Sequence, residues 1–148
     1  MNINSFESLV FSHLDKNFTL KKARELTGGG ITKKNKKMPF YNYDLSAKDC
    51  IKGSVLRNVK GSICEECYAD KGNFRYPSVK VSHKKHLESL KNGFLWSMAM
   101  AYQILYYKAK YFRFHASGDL QSLDHAKQII NLAKLTPSFK YWIPTRET

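Results

Sequence analysis

The stretch YFRFHASGDLQSLDHAKQIINLAKLTPSFKYWI, residues 111–143, decides the fold. Residues 111–116 are aromatic and alternating, as a strand requires, and Ser117, Gly118 and Asp119 end them with turn formers. Ser122 is placed to cap a helix in which Leu123, Ala126, Ile130 and Ala133 recur at helical spacing and are expected to face inward. Thr136 and Pro137 stop that helix, and FKYWI at 139–143 reads as the next strand. Strand, helix and strand in this order imply a parallel pair joined by a right-handed crossover, with both strands ending at one edge of the sheet.

Ligands of open α/β sheets and of barrels bind outside the carboxyl ends of the strands. His115, Ser117, Gly118 and Asp119 follow the first strand here, and Thr145, Arg146 and Glu147 follow the second. These residues are expected to share one rim that contacts a cofactor or substrate, with His115 or Asp119 as acid or base. The plainer alternative makes Gly118 and Asp119 a turn and Arg146 with Glu147 a surface pair. Histidine and arginine, however, are not turn formers.

Upstream, residues 82–110 carry the longest helical signal, with Leu87, Leu90, Phe94, Met98, Ala101, Tyr102 and Leu105 at steps of three and four. Asn92 and Gly93 interrupt it, so one kinked helix or two are expected. His83 and His86 stand near its start beside Lys80, Lys84 and Lys85, a pattern that reads as a basic solvent face rather than a ligand pair.

All three cysteines fall in DCIKGSVLRNVKGSICEECYA, residues 49–69. Cys64 and Cys67 form a C-x-x-C turn, and Cys50 returns across a thirteen-residue loop as a third soft ligand. Gly53, Gly61 and Gly72 break the region into turns whose order depends on what the thiols bind. Zinc needs a fourth ligand, for which His83, His86 or His115 are candidates, whereas an iron-sulfur cluster on three cysteines keeps one iron open. MPFYNYDL at 38–45 is aromatic, short and extended, and reads as an early strand leading into this loop.

Gly28, Gly29 and Gly30 precede Lys33, Lys34, Asn35, Lys36 and Lys37. Backbone amides and lysines in such a loop can hold an anion, but no nucleotide-loop signature is present and a solvated linker is the plainer reading. Before it, 5–15 has helical spacing with Ser5 as cap, and a short helix is expected over 20–26.

The 148 residues are 43% hydrophobic and 14% aromatic, enough for one domain with its own core. Three segments are expected within it: a helical one at 1–27, the glycine-lysine and cysteine loops at 28–81, and a helix plus the βαβ unit at 82–148. With 25 Lys and Arg against 12 Asp and Glu, the net charge is +13, a field that attracts nucleic acid or other anions. No apolar run spans a membrane and no secretory signal is visible, so a cytoplasmic setting is expected. Three cysteines in that reducing compartment speak for metal or redox chemistry rather than disulfides.

GGG with KKNKKM and LSAKDC, then CEECYADKGNF, YFRFHASGDLQS and TPSFKYWIPTRE resemble, in that order, the phage family called gene product 88. The C-x-x-C-Y-A and R-x-H-x-S-G-D blocks carry the resemblance, which runs over residues 28–147. It implies a phage origin and the cytoplasm of a bacterial host. The cysteine block and βα units are similar in style to radical S-adenosylmethionine enzymes. That similarity implies a 4Fe-4S cluster on Cys50, Cys64 and Cys67, with S-adenosylmethionine on its open iron and His115, Ser117, Gly118 and Asp119 lining the cofactor. A full barrel does not fit in this length, so the expected fold is α/β with a small or incomplete parallel sheet, partial-barrel-like, beside a cysteine-rich metal loop and an N-terminal helix. Family members are often longer, as the resemblance implies. A truncated form, one part of a split gene, or a subunit whose partner or second copy completes the sheet are all expectations.

Two function classes follow. One is an iron-sulfur enzyme acting on an anionic substrate or nucleic acid, with Arg146 and the lysine run at 33–37 as anion contacts. The other is a zinc-stabilised, non-catalytic nucleic-acid-binding protein in which lysines and exposed aromatics such as Tyr41, Tyr43 and Phe74 meet phosphates and bases.

Overall fold

A computed structural model describes residues 17–147, so the helix expected over 5–15 lies outside the described residues. Helix α1, Leu20–Leu26, starts where the Thr19 hydroxyl accepts from the Lys22 backbone N–H and ends at Thr27. Gly28 and Gly29 follow at φ +72 and +150. The solvated-linker reading is corrected here. A Cβ on Gly28 would collide with the backbone of Lys85, and the Thr27 hydroxyl donates to Gly29 O at 2.7 Å, so the glycines form a packed turn against a later helix.

The chain then forms β1, Tyr41–Asn42, and the short helix α2, Ile51–Leu56. Helix α3, Pro77–Ser89, opens with proline at its first position, where the missing N–H is not needed. Gly93, at φ +59, separates it from α4, Phe94–Tyr107, so the long helical signal is two helices. Strand β2 is Tyr111–Arg113, helix α5 is Leu123–Leu135 and strand β3 is Lys140–Trp142.

The three strands make one parallel sheet in the order β1-β2-β3, with Tyr41 opposite Phe112 and Phe112 opposite Tyr141. The expected strand-helix-strand unit and the early strand are both present, and about half of the described chain is helical. Helices α4 and α5 cover one face of the sheet. Trp96, Met100, Ile104, Ile129 and Leu132 pack there with Tyr43, Phe112 and Phe114. No helix among the described residues is long and apolar enough to cross a membrane.

Helix α5 presents a different face from the one its apolar spacing predicts. The Ser122 hydroxyl caps it as expected by accepting from the His125 N–H, yet the buried side is His125, Gln128, Ile129 and Leu132. Leu123 and Ile130 face solvent. Each polar member of the buried stripe is bonded through one side-chain atom only: His125 Nδ1 accepts from Gln121 N–H and Gln128 Nε2 donates to Leu90 O, while His125 Nε2 and Gln128 Oε1 have no partner among the described residues. Hydrogen bonding thus offsets part of the cost of burying side chains that local hydropathy assigns to the outside.

Three side chains read as exposed are buried. His83 and His86 are enclosed rather than on a basic solvent face, and His86 stacks on Tyr43 at 4.1 Å while its Nδ1 lies 2.7 Å from Asp44 O. Tyr43 is a core residue whose hydroxyl donates to Thr27 O at 2.6 Å and accepts from Trp96 Nε1 at 3.3 Å. Burial pushes its pKa up to about 12.

Candidate functional site

The polypeptide leaves β2 through Phe114, His115, Ala116 and Ser117, all buried, and Gly118 then turns it at φ +85 against Leu45. Asp44, just after β1, anchors this strand end. Its Oδ1 accepts from Ala116 N–H at 2.6 Å and from Ser117 N–H at 3.3 Å. Burial raises the Asp44 pKa to about 6, while those backbone hydrogen bonds and Arg113 pull the other way.

Asp119 clamps the two strand-end loops together. Oδ1 accepts from Leu120 N–H and Oδ2 from Arg146 N–H, each at 2.7 Å. His115, Ser117, Gly118, Asp119, Thr145 and Arg146 line one pocket of about 310 Å³. Glu147 is not among its lining residues; it accepts from Lys52 N–H at 2.8 Å, in the first turn of α2.

The same pocket is lined by Cys50, Cys64 and Cys67, none of which is in a disulfide. Cys50 precedes the first residue of α2, and Cys64 and Cys67 flank a tight turn before the 3-10 helix Tyr68–Asp70. Gly53, buried inside α2, opens space between two of the thiols. A Cβ there would stand 3.6 Å from Cys50 Sγ and 3.8 Å from Cys64 Sγ. Burial pushes the Cys50 thiol up to about 12, with Asp119, Cys67 and Cys64 adding to the rise and Arg57 opposing it. Among the described residues no three His, Cys, Asp or Glu side chains converge on a point that could hold a single metal ion.

Arg57 braces the cysteine segment internally: Nη1 pairs with Asp70 at 2.9 Å and Nη2 donates to Ala47 O. Its ties to the strand-end loops are separate, Lys52 N–H donating to Glu147 and Gln121 Nε2 donating to Asp49 O. The Tyr68 hydroxyl donates to Ala116 O, beside His115, and accepts from Arg113 Nη2 at 3.2 Å.

Two buried polar atoms at the pocket wall, His115 Nε2 and Ser117 Oγ, have no hydrogen-bond partner among the described residues. Burial lowers the His115 pKa well below its ordinary value, and His125, His86, Arg113 and His83 lower it further. The imidazole is therefore neutral.

Lys33, Lys34, Asn35, Lys36 and Lys37 are exposed and do not line this pocket. The Asn35 side chain is spent locally, accepting from the Lys37 and Met38 N–H groups at 2.9 Å. Asp44, Gly53, Tyr68 and Arg113 are the participants that sequence reasoning missed. Gly53 was expected to break the chain into a turn but lies inside helix α2, where it faces the thiols; the others carry no local signal.

A family model described as Gene product 88 matches residues 16–148. No curated protein and no solved structure matches the chain.

Proposed function

The chain belongs to the gene product 88 family, and from that premise and the pocket's geometry we propose a metalloenzyme in which Cys50, Cys64 and Cys67 hold an iron-sulfur cluster beside an anionic substrate. One observation carries the reading: three thiols from two segments line the pocket that the two strand ends also line. The donor set fits. A zinc ion at bonds of about 2.3 Å needs its ligands drawn to one point, and the described side chains do not so converge. A cluster lets each thiolate bind its own iron, which suits sulfurs spread around a cavity whose Gly53 wall lacks a Cβ. Cys50, held protonated by burial and its anionic neighbours, releases its proton when a cationic centre arrives.

Bound there, such a cluster supplies electron transfer and one iron without a protein ligand, the position at which S-adenosylmethionine would be held. The chain's own residues do the rest. The neutral His115 imidazole and the Ser117 hydroxyl, both without partners, offer hydrogen bonds to the incoming molecule. Arg146 supplies positive charge at the pocket edge, and Asp119 fixes it there through its backbone N–H. Gly118 lets the backbone turn without a side chain entering the space.

The experiment is metal and sulfide analysis with an absorption spectrum on protein purified without oxygen. Iron with sulfide and a broad band near about 400 nm is expected, lost in Cys64→Ser and in Cys67→Ser. One zinc and no colour would make the cysteine segment structural and sink the enzyme reading, as would iron that survives replacement of all three cysteines. S-adenosylmethionine cleavage by the reduced, loaded protein tests the cofactor.

A further inference from the structure

Parallel sheets are ordinarily covered on both faces, and here α4 and α5 cover one. The register places Tyr111 beside Lys140 and Arg113 beside Trp142 on the other. Phe40 joins them, its ring 6.5 Å from Tyr111 and 6.0 Å from Trp142. Tyr111 is 57% exposed and Trp142 52%, far more than a sheet residue awaiting no partner. The Arg113 guanidinium lies 4.8 Å over the Trp142 ring and also lines the cysteine pocket, so the aromatic face runs into the pocket mouth.

The charge of this face has one sign. Residues 31–43, 108–118 and 137–146, which contain all three strands, have no Asp or Glu; the acids that follow directly, Asp44, Asp119 and Glu147, lie at the strand ends and accept from backbone N–H groups there. Met38 Sδ accepts from Arg113 Nη1 at 3.6 Å, so the Asn35 turn that holds Lys36 and Lys37 adjoins this face in the chain.

We propose that this face binds single-stranded nucleic acid, with bases stacked on Trp142 and Tyr111 and phosphates met by Lys140 and the Lys36–Lys37 turn. Aromatic rings on an open sheet offer flat surfaces to bases, and only an unpaired strand exposes base faces to them. A duplex would meet the lysines alone. A second copy of the chain fits less well, since pairing this face with itself would set cations against cations without a compensating carboxylate. The proposal names the substrate class for the pocket and rests on the metal reading only for delivery of the strand to the thiols; binding to the face stands without it.

The test is fluorescence anisotropy with labelled oligo-dT and oligo-rU, each against a duplex of equal length, on the full chain with and without metal. Single strands should bind more tightly than duplex and quench tryptophan emission in the wild type. Trp142→Ala with Tyr111→Ala should weaken single-strand binding roughly tenfold or more while changing duplex binding less than about twofold. Trp142→Phe should retain binding but lose the quenching, since Trp96 is buried in the core. Circular dichroism confirms folding of each variant, and the quenching in the wild type reads the same contact if the double variant does not fold. Equal affinity for duplex and single strand, unchanged binding in the double variant, or absence of quenching would each overturn the proposal. So would self-association, seen by sedimentation, that Trp142→Ala disperses. Cys64→Ser separates the two readings: a variant without metal that still binds the strand upholds the face alone, whereas metal loading without strand binding removes the face and leaves the pocket.

Discussion

Acidification from about pH 7.5 to about pH 5 should destabilise the fold by at least about 2–3 kcal/mol, the net of histidines that are buried neutral and an opposing aspartate. Burial lowers the pKa of His86 and of His125 from 6.5 to about 4. A depressed folded pKa means that the unfolded chain takes up protons first, so the stability these groups contribute is full above 6.5 and is lost as pH falls toward 4. At about pH 5 the loss is about 1.5 pH units at 1.36 kcal/mol each, or about 2 kcal/mol per histidine. Asp44 opposes them. Its folded pKa is raised from 3.8 to about 6, so protonation below about 6 favours the fold, returning about 1.4 kcal/mol by pH 5. His115 and His83, also lowered by burial, act in the direction of His86 and His125. Urea unfolding read by tryptophan fluorescence measures the sum, since Trp96 packs edge-on to His125 at 6.0 Å. In His125→Gln the loss between the two pH values should shrink by about 2 kcal/mol, whatever that variant's absolute stability. Stability that is flat or rises on acidification would refute the reasoning, as would a His125→Gln variant with the full wild-type loss.

Gly118→Ala places a Cβ 2.6 Å from Leu45 Cβ at a φ of +85, and urea unfolding should show a loss of about 2–3 kcal/mol. Tyr43→Phe leaves Trp96 Nε1 and Thr27 O without the hydroxyl between them; a loss of about 1–3 kcal/mol is expected by the same measurement. Gly53→Ala is the informative counterpart. A helical alanine gains up to about 1 kcal/mol over glycine, against a close approach of 2.9 Å to Cys50 Cβ, so unloaded stability should change little. Iron bound per chain should nevertheless fall, because the methyl enters the space between two thiols; full loading in this variant would mean that the ligand sits elsewhere.

What sequence reasoning read correctly was local. Alternation in 111–116, the Ser122 cap and the Thr136-Pro137 stop lie within a few residues of what they determine, and a parallel crossover then puts both strand ends at one edge. That logic placed Asp119 near Arg146 before any geometry was known. What it misread depends on partners far along the chain. His86 is buried because Tyr43 stacks on it and Asp44 O, 42 positions away, meets its ring nitrogen; lysines beside it in sequence do not reveal this. Asp44 in turn finds Ala116 across 72 positions. The inward face of α5 was misread partly for the same reason, since Gln128 is buried with its Nε2 donating to Leu90 O, 38 positions away. The glycine triplet looked flexible because glycine serves both loose loops and tight contacts, and only the neighbour decides which.

The two halves of the pocket are held by different physics, and this bears on how it would work. Asp44 and Asp119 fix the strand ends with short hydrogen bonds to backbone N–H groups, so His115, Ser117 and Arg146 are in place before anything binds. The cysteine side is built otherwise. Ile51, Val55, Val59 and Ile63 are all exposed, so the segment buries little apolar surface of its own. Single hydrogen bonds from Lys52 N–H to Glu147 and from the Tyr68 hydroxyl to Ala116 O are among its described ties to the remainder; the ion pair Arg57–Asp70 lies inside the segment and, being partly exposed, contributes little. On the proposed metal reading, order in such a segment would come from what the thiols hold. A preformed wall facing a segment that closes on its ligand predicts that metal loading protects 50–70 from hydrogen exchange while leaving 114–119 as protected as before. Protection arising equally on both sides would mean that the strand ends, too, are assembled by the ligand.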